Sequence, residues 1–158
     1  MASPKIAIGC DEAAYDLKMV LSAFLEERGW AVQDFGTNKG ETALYPDIAF
    51  RVAREVADGH FDRAVLLCGT GIGVAITANK VPGVRAAQCH DAYSAERARK
   101  SNNAQIITMG SLIVGPALAR TILGTWLDSE FQGSSSTAKV QRICDYEETI
   151  AREQRERK

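Results

Sequence analysis

The alternation of short apolar segments with helical patterns constrains the fold of this chain more than any other feature. Residues 63–68 read "RAVLLC", a run typical of a strand buried on both faces of a parallel sheet. Similar segments are "KIAIGC", "WAVQDFG", "VRAAQC" and "AQIITMG". Helical patterns follow them, with apolar residues three or four positions apart. Because strand and helix alternate five times, the sequence predicts an α/β sandwich with a five-stranded parallel sheet and helices on both faces.

A single domain, residues 1–158, accounts for the whole chain. Its length can bury a full core, and no stretch has the composition of a linker. The last two helical patterns each place apolar residues on one face. Those faces consist of Leu118, Ile122, Trp126 and Leu127 in the first helix, and of Val140, Ile143 and Ile150 in the C-terminal one.

Charge and cysteine content narrow the choice of partners and cofactors. The formal net charge of −1 gives no reason to expect a nucleic-acid partner. The four cysteines include no CxxC pair and there are only two histidines, so no metal site is expected. No apolar run is long enough for a signal peptide or a membrane span. These features predict a cytoplasmic protein with reduced thiols.

A glycine-rich loop, "LLCGTGIG" at residues 66–73, follows the third predicted strand. The spacing of Gly69, Gly71 and Gly73 differs from the GxGxxG of dinucleotide sites, and no Lys-Ser or Lys-Thr follows as in nucleoside triphosphate loops. Successive backbone N–H groups at a helix start could instead bind an oxyanion or a phosphate. The same groups would favour a thiolate at Cys68, which could act as a base beside an oxyanion site.

A simpler interpretation of this loop stays open from the pattern alone. A cysteine at a strand end is most often a small buried residue, and glycines there often only permit a tight turn. Ligands bind at the carboxyl ends of parallel strands, where "CDE" at residues 10–12 joins the loop. The segment "SNNAQ" at residues 101–105 precedes a strand, so any site that includes it would involve a neighbouring subunit.

Several stretches resemble the family of ribose 5-phosphate isomerase B and galactose 6-phosphate isomerase. They are "IAIGCDEAAYDLK", "DFGT", "YPDIA", "LLCGTGIGVAITANKVPGVRAAQCHDAYSAERAR" and "NNAQIITMGS", and the likeness runs from Lys5 to about Gly133. The resemblance implies a Rossmann-like three-layer sandwich and an aldose–ketose isomerisation through an enediolate, without metal or cofactor. It also implies a homodimer or tetramer with sites at the subunit interface, in which the C-terminal helix, about residues 137–155, packs on a partner.

The resemblance assigns a role to each matching residue. Cys68 would be the base that moves a proton between C1 and C2 of the sugar, and Thr70 would relay protons between the sugar oxygens. Asp11 would bind the sugar and assist ring opening, Tyr45 would line the pocket, and Asn102 would reach the sugar from the neighbouring subunit. The loop that holds the enediolate comprises Gly69, Gly71, Ile72 and Gly73.

Five positions depart from the family pattern. The family usually has histidine where this chain has Glu12 and Ser101, and arginine where it has Leu112, Ser135 and Lys139. The histidine that the family has in place of Ser101 would open a furanose ring by protonating the ring oxygen. A neutral serine is a poor acid for that step. Phosphate is best held by bidentate arginines. We therefore expect an intact isomerisation site with altered phosphate and ring-opening contacts, in which Glu12, Ser101, Ser135 and Lys139 still face the substrate.

Three hypotheses follow for the function. The first is an isomerase whose nominal substrate is ribose 5-phosphate, of the pentose phosphate pathway, and whose best substrate is another small sugar or sugar phosphate that opens readily or lacks the terminal phosphate. The second is a non-catalytic sugar-binding or regulatory subunit, and the third is a scaffold with a vestigial pocket. His90 is either a polar residue at a helix start or the proton donor that Ser101 cannot be.

Overall fold

A computed structural model describes residues 2–157, which form one sheet surrounded by helices. The strands are β1 (Lys5–Cys10), β2 (Ala31–Asp34), β3 (Arg63–Cys68), β4 (Ala86–Gln88) and β5 (Ile106–Gly110). The α-helices are α1 (Tyr15–Glu27), α2 (Tyr45–Ala57), α3 (Ile72–Ala78), α4 (Ala92–Lys100), α5 (Pro116–Leu127) and α6 (Thr137–Glu156). Short 3₁₀ helices cover Glu12–Ala14 and Ser134–Ser136.

The sheet is entirely parallel, in the order β2-β1-β3-β5-β4, with helices on both faces, which confirms the predicted architecture. The chain leaves β1 toward β2 on one side and returns to β3 on the other. Helices α1, α4 and α5 cover one face, while α2 and α3 cover the opposite face. The order reverses between β1 and β3, which is where open α/β sheets bind ligands.

Burial on both faces explains why β3 is apolar after its first residue. Val65 and Leu67 pack under α1 and α5, while Ala64 and Leu66 pack under α2. The exception, Arg63, is buried because its guanidinium donates to backbone carbonyls at the end of α5, those of Trp126, Leu127 and Ser129. A buried charge is tolerated where several acceptors surround it.

The apolar faces of the last two helices are buried only in part within one chain. In α5, Leu118 is 47% exposed. The buried stripe is centred near Ala119, and successive helical residues point about 100° apart. In α6, Val140 is buried, while Ile143 and Ile150 are 48% and 54% exposed in the single chain. Packing of α6 on a partner subunit stays a prediction.

No helix among residues 2–157 is both long and apolar enough to cross a membrane. No three His, Cys, Asp or Glu side chains among them converge closely enough to share a metal ion.

Candidate functional site

The carboxyl ends of the three central strands bring half of the predicted site together. Cys10 at the end of β1 lies beside Leu67, and Cys68 at the end of β3 lies beside Gly110 at the end of β5. Asp11, the first residue beyond β1, therefore lies at the same edge as the glycine loop. This arrangement follows from strand direction, which the sequence already indicated.

The Cys68 side chain is buried, with 4% of its surface exposed, and its sulfur faces the loop. The Gly71 N–H donates to Cys68 Sγ at 3.1 Å. This contact holds the sulfur at the inner side of the loop, toward the start of α3. The residue is thus both buried, as the simpler interpretation expected, and placed as a base would be.

The other buried cysteines differ from Cys68 in their surroundings. Burial raises the pKa of the Cys89 thiol to about 11, with the Asp91 carboxylate adding to the effect. Burial also raises the pKa of Cys10, against hydrogen bonds from Thr37. Both remain neutral thiols in the core.

The glycine loop is held against β4 and β5 through its backbone. Gly71 has φ = +74°, and a Cβ on it would lie 2.8 Å from the Met109 carbonyl carbon. Its carbonyl accepts a hydrogen bond from Thr108 Oγ1 at 2.8 Å, and the Thr70 carbonyl accepts one from Gln88 Nε2 at 2.7 Å. The glycines therefore permit a close approach of two backbones and not only a turn.

The loop leads into α3, whose first-turn N–H groups have no partner within the helix. Ile72 N–H makes a long contact, 3.3 Å, with Thr70 Oγ1, and that hydroxyl lies on the exposed side of the loop. The Tyr45 ring lies against the backbone of Gly73, because a Cβ there would come within 2.3 Å of Tyr45 Cζ. Tyr45 thus borders the loop, as the resemblance implied, while its contact with a sugar stays a prediction.

Asp11 and Glu12 differ in what their carboxylates contact. Asp11 Oδ1 accepts the Ala13 N–H at 3.1 Å and so caps the first 3₁₀ helix. Burial raises the pKa of Asp11, and the neighbouring Glu12 charge adds to this against backbone hydrogen bonds. Glu12 is exposed and accepts the Ala43 N–H at 3.1 Å, a hydrogen bond that lowers the pKa of Glu12. Glu12 therefore braces the segment that leads to Tyr45.

The remaining predicted site residues lie near the amino ends of the strands, at the opposite end of the sheet from Cys68. Ser101 and Asn102 follow α4 and precede β5, whereas Cys68 is level with the far end of β5. A strand of this length spans roughly 13 Å at about 3.3 Å per residue. Ser135 and Lys139 belong to the same edge, because the Gln132 N–H just before them donates to the Lys100 carbonyl at 3.1 Å. One chain thus holds two separate halves of the predicted site.

Two of the departures have visible local consequences. Ser101 Oγ accepts two hydrogen bonds from the Arg97 guanidinium, from Nε at 2.9 Å and from Nη2 at 2.6 Å. Leu112 is 79% exposed, and its Cδ1 lies 3.4 Å from where a Cβ on Gly69 would be. A hydrocarbon side chain, not a guanidinium, therefore stands at the mouth of the loop.

His90 contacts the end of β5, the strand against which the glycine loop packs. Its Nε2 accepts the Gly110 N–H at 3.0 Å, which fixes the ring proton on Nδ1. Burial lowers the pKa of His90, against the smaller opposite effect of Asp91. His90 Nε2 therefore cannot be the proton donor that would compensate for Ser101.

The His90 contact predicts a pH-dependent stability. Since its folded-state pKa lies below the ordinary 6.5, the unfolded chain binds the proton more readily, and stability falls as the pH drops from about 6.5 through the lowered folded pKa. Replacing His90 with glutamine removes this titration but keeps an acceptor for Gly110. The excess stability of wild type over His90→Gln, measured by urea unfolding, should shrink as the pH is lowered from about 7.5 toward 5. A difference independent of pH would contradict it.

Sequence reasoning missed several residues that shape the site. Gln88 and Thr108 hold the loop through its carbonyls, and nothing in their local pattern marks them. The buried Lys18 ammonium ties α1 to the last residue of β2, through both Asp34 carboxylate oxygens (2.7 and 2.9 Å), and to the segment after β2, through the Thr37 carbonyl (2.5 Å). A lysine among the apolar positions of a predicted helix was the signal that could have found it.

Comparison with known proteins agrees with this geometry. The family model for Ribose/Galactose Isomerase matches residues 6–143. A Listeria innocua protein named "Ribose-5-P isomerase B" is 60% identical over 86% of this chain and 92% of its own length. A Pectobacterium atrosepticum protein named "D-erythrulose-4-phosphate isomerase" is 54% identical over 90% of this chain and 94% of its own length.

A solved structure extends the likeness to three dimensions. Ribose-5-phosphate isomerase B of Clostridium thermocellum superposes with a TM-score of 0.90 at 44% identity, over 92% of this chain and 99% of that one. The Rossmann-like fold and the family predicted from the motifs are confirmed. This chain belongs to the ribose/galactose isomerase family and is a sugar-phosphate isomerase that interconverts an aldose and a ketose.

Proposed function

We propose that this isomerase interconverts D-erythrulose 4-phosphate and its aldose, a tetrose 4-phosphate. The observation that carries the proposal is the state of Ser101, which stands where the resemblance places a ring-opening histidine. Its oxygen accepts two hydrogen bonds from Arg97, and a serine hydroxyl cannot supply an acidic proton near neutral pH. The Pectobacterium atrosepticum relative that carries this substrate in its name supports the same choice.

The chemistry of four-carbon sugar phosphates explains why no ring-opening acid would be needed. A furanose closes when the C4 hydroxyl attacks the C1 aldehyde. In a tetrose 4-phosphate that oxygen is esterified, so the sugar stays open or hydrated. Ribose 5-phosphate keeps a free C4 hydroxyl and is mostly cyclic, so its isomerisation benefits from a general acid.

The loop residues would carry the proton transfer in this proposal. The Cys68 thiolate removes a proton from C1 of the ketose, and the electron pair moves to give an enediolate. N–H groups of the loop and of the first turn of α3 stabilise the negative oxygen. The thiol then returns the proton to C2, while the Thr70 hydroxyl passes a proton between the two sugar oxygens. Asp11 binds a sugar hydroxyl beside them.

A second copy of the chain would complete the site. Ser101, Asn102, Ser135 and Lys139 lie at the edge opposite Cys68, which is too far for one sugar to contact both halves. A homodimer or tetramer that places the two ends of the sheet against each other brings these residues together.

The four cysteines are all free thiols, which fits a reducing, cytoplasmic setting.

Ribose 5-phosphate is the second candidate substrate, favoured by the Listeria innocua relative. A direct comparison of kcat/KM for D-erythrulose 4-phosphate and ribose 5-phosphate separates the two. Because a general acid contributes about 10²–10⁴-fold to a rate, we expect the tetrose phosphate to be preferred by at least about 100-fold. Equal or better turnover of ribose 5-phosphate would overturn the proposal in favour of this second substrate. A protein that binds both sugars without turnover would be the non-catalytic subunit.

A further inference from the structure

The Arg97 guanidinium, in the last turn of α4, has an unusual partner. Its Nε and Nη2 both donate to one neutral oxygen, Ser101 Oγ. This edge of a guanidinium matches the two oxygens of a carboxylate or phosphate. Its remaining nitrogen, Nη1, is 3.4 Å from Glu96 Oε1, and the Glu96 carboxylate is shared with Lys100 Nζ at 3.3 Å. The charge of Arg97 is therefore only partly balanced.

The neighbouring arginines at the amino ends of the strands donate mainly to backbone carbonyls, unlike Arg97. Arg63 and Arg99 are buried, donate to backbone carbonyls and pair with the Glu130 carboxylate. Arg85 Nε donates to the carbonyls of Asn102 and Asn103. These side chains hold the fold together. Arg97, about one-third exposed, keeps a fork that an incoming anion can share.

We propose that Arg97 and Ser101 together bind the phosphate group of the substrate. The inference rests on the proposed function and deepens it. The resemblance implies that the residue at position 101 faces the sugar's ring oxygen, which is O4 in a pentofuranose. In a tetrose 4-phosphate, O4 carries the phosphate. Position 101 would therefore contact the ring oxygen of a pentose phosphate, but the phosphate ester of a tetrose 4-phosphate.

The hydrogen-bonding capacity of the pair suits this task. A hydroxyl has two acceptor lone pairs and one proton. Arg97 occupies the acceptor side of Ser101, so the hydroxyl proton is left to donate to an oxyanion. Of the three arginines that the family pattern would supply, two are replaced by Leu112 and Ser135 and one by Lys139. Arg97 provides a guanidinium that can replace one of them.

Substitution of Arg97 by leucine tests the assignment. Leucine suits a helix and keeps part of the apolar stem, but it removes the charge. For D-erythrulose 4-phosphate we expect KM to rise about 10- to 100-fold, as loss of charge-assisted hydrogen bonds gives, with kcat within about threefold. The inhibition constant for inorganic phosphate, measured at constant ionic strength, should rise in parallel. Arg97→Lys should restore part of both.

Arg54→Leu is the matched control, because Arg54 is an exposed arginine on α2. Its ion pair with Asp58 is long, at 4.0 Å, and exposed, so its loss should have little effect. It should leave KM, kcat and phosphate inhibition unchanged. An unchanged phosphate inhibition constant in Arg97→Leu overturns the inference, and so does a fall in kcat alone. If wild type proves to use only ribose 5-phosphate, the proposed function fails. Phosphate inhibition against that substrate still decides the role of Arg97.

Discussion

Replacing Cys68 with serine is expected to lower kcat by about 10³- to 10⁴-fold, near the upper range for loss of a general base. Serine can still accept the Gly71 N–H that now reaches the sulfur at 3.1 Å, so the loop should keep its conformation. A hydroxyl does not ionise near neutral pH, however, and cannot remove a proton from C1. The measurement is the rate of ketose-to-aldose conversion with saturating sugar phosphate, alongside thermal unfolding to verify the fold.

Cys144→Ser serves as the control for this experiment. Cys144 lies on α6, half-buried, with Arg85 Nη1 as its polar neighbour at 4.0 Å. Its replacement should leave kcat within about threefold of wild type. Substantial activity in Cys68→Ser with a normal unfolding temperature would remove Cys68 from the role of base, and would point to Asp11 as the group that moves the proton.

The fold was predictable because its determinants are local. Apolar runs such as residues 63–68 indicate burial on both faces, and helix starts such as Asp91, whose Oδ1 accepts the Ser94 N–H at 2.7 Å, follow from single residues. Strand order depends on which face each crossover helix covers, which is a property of packing between distant segments. The exposed side chain of Leu118 shows the same limit, since helical spacing cannot tell how much of an apolar face the sheet will cover.

The site divides along similar lines. Cys68 and its glycines are contiguous, and strand direction alone separates Ser101 from them, so both features could be inferred. The supports of the loop come from far along the chain, since Gln88 and Thr108 lie 18 and 37 residues from the carbonyls they contact. The double contact between Arg97 and Ser101 is visible only in the structure, although the two residues are four positions apart on a predicted helix.

Gly110→Ala is expected to damage both stability and activity, because the end of β5 touches the loop through backbone atoms. A Cβ on Gly110 would lie 2.5 Å from both Cα and the carbonyl carbon of Thr70. Backbone cannot rotate away as a side chain can, so the loop must shift. We expect a loss of about 1–3 kcal/mol, which lowers Tm by roughly 3–10 °C. A shift of about 1 Å at the loop should reduce kcat by about 100-fold.

Gly115→Ala separates this effect from the general consequence of replacing a glycine. Gly115 has φ = −75° at the start of α5, and a Cβ there would meet no atom within 4 Å. We expect a change of under about 1 kcal/mol and near-normal kcat in that variant. If Gly110→Ala behaved like Gly115→Ala, the loop would not depend on close backbone packing against Gly110. The hydrogen bonds from Gln88 and Thr108 would then hold it alone. A selective loss in Gly110→Ala would show that the position of Cys68 and its donors is set by close packing of two backbones.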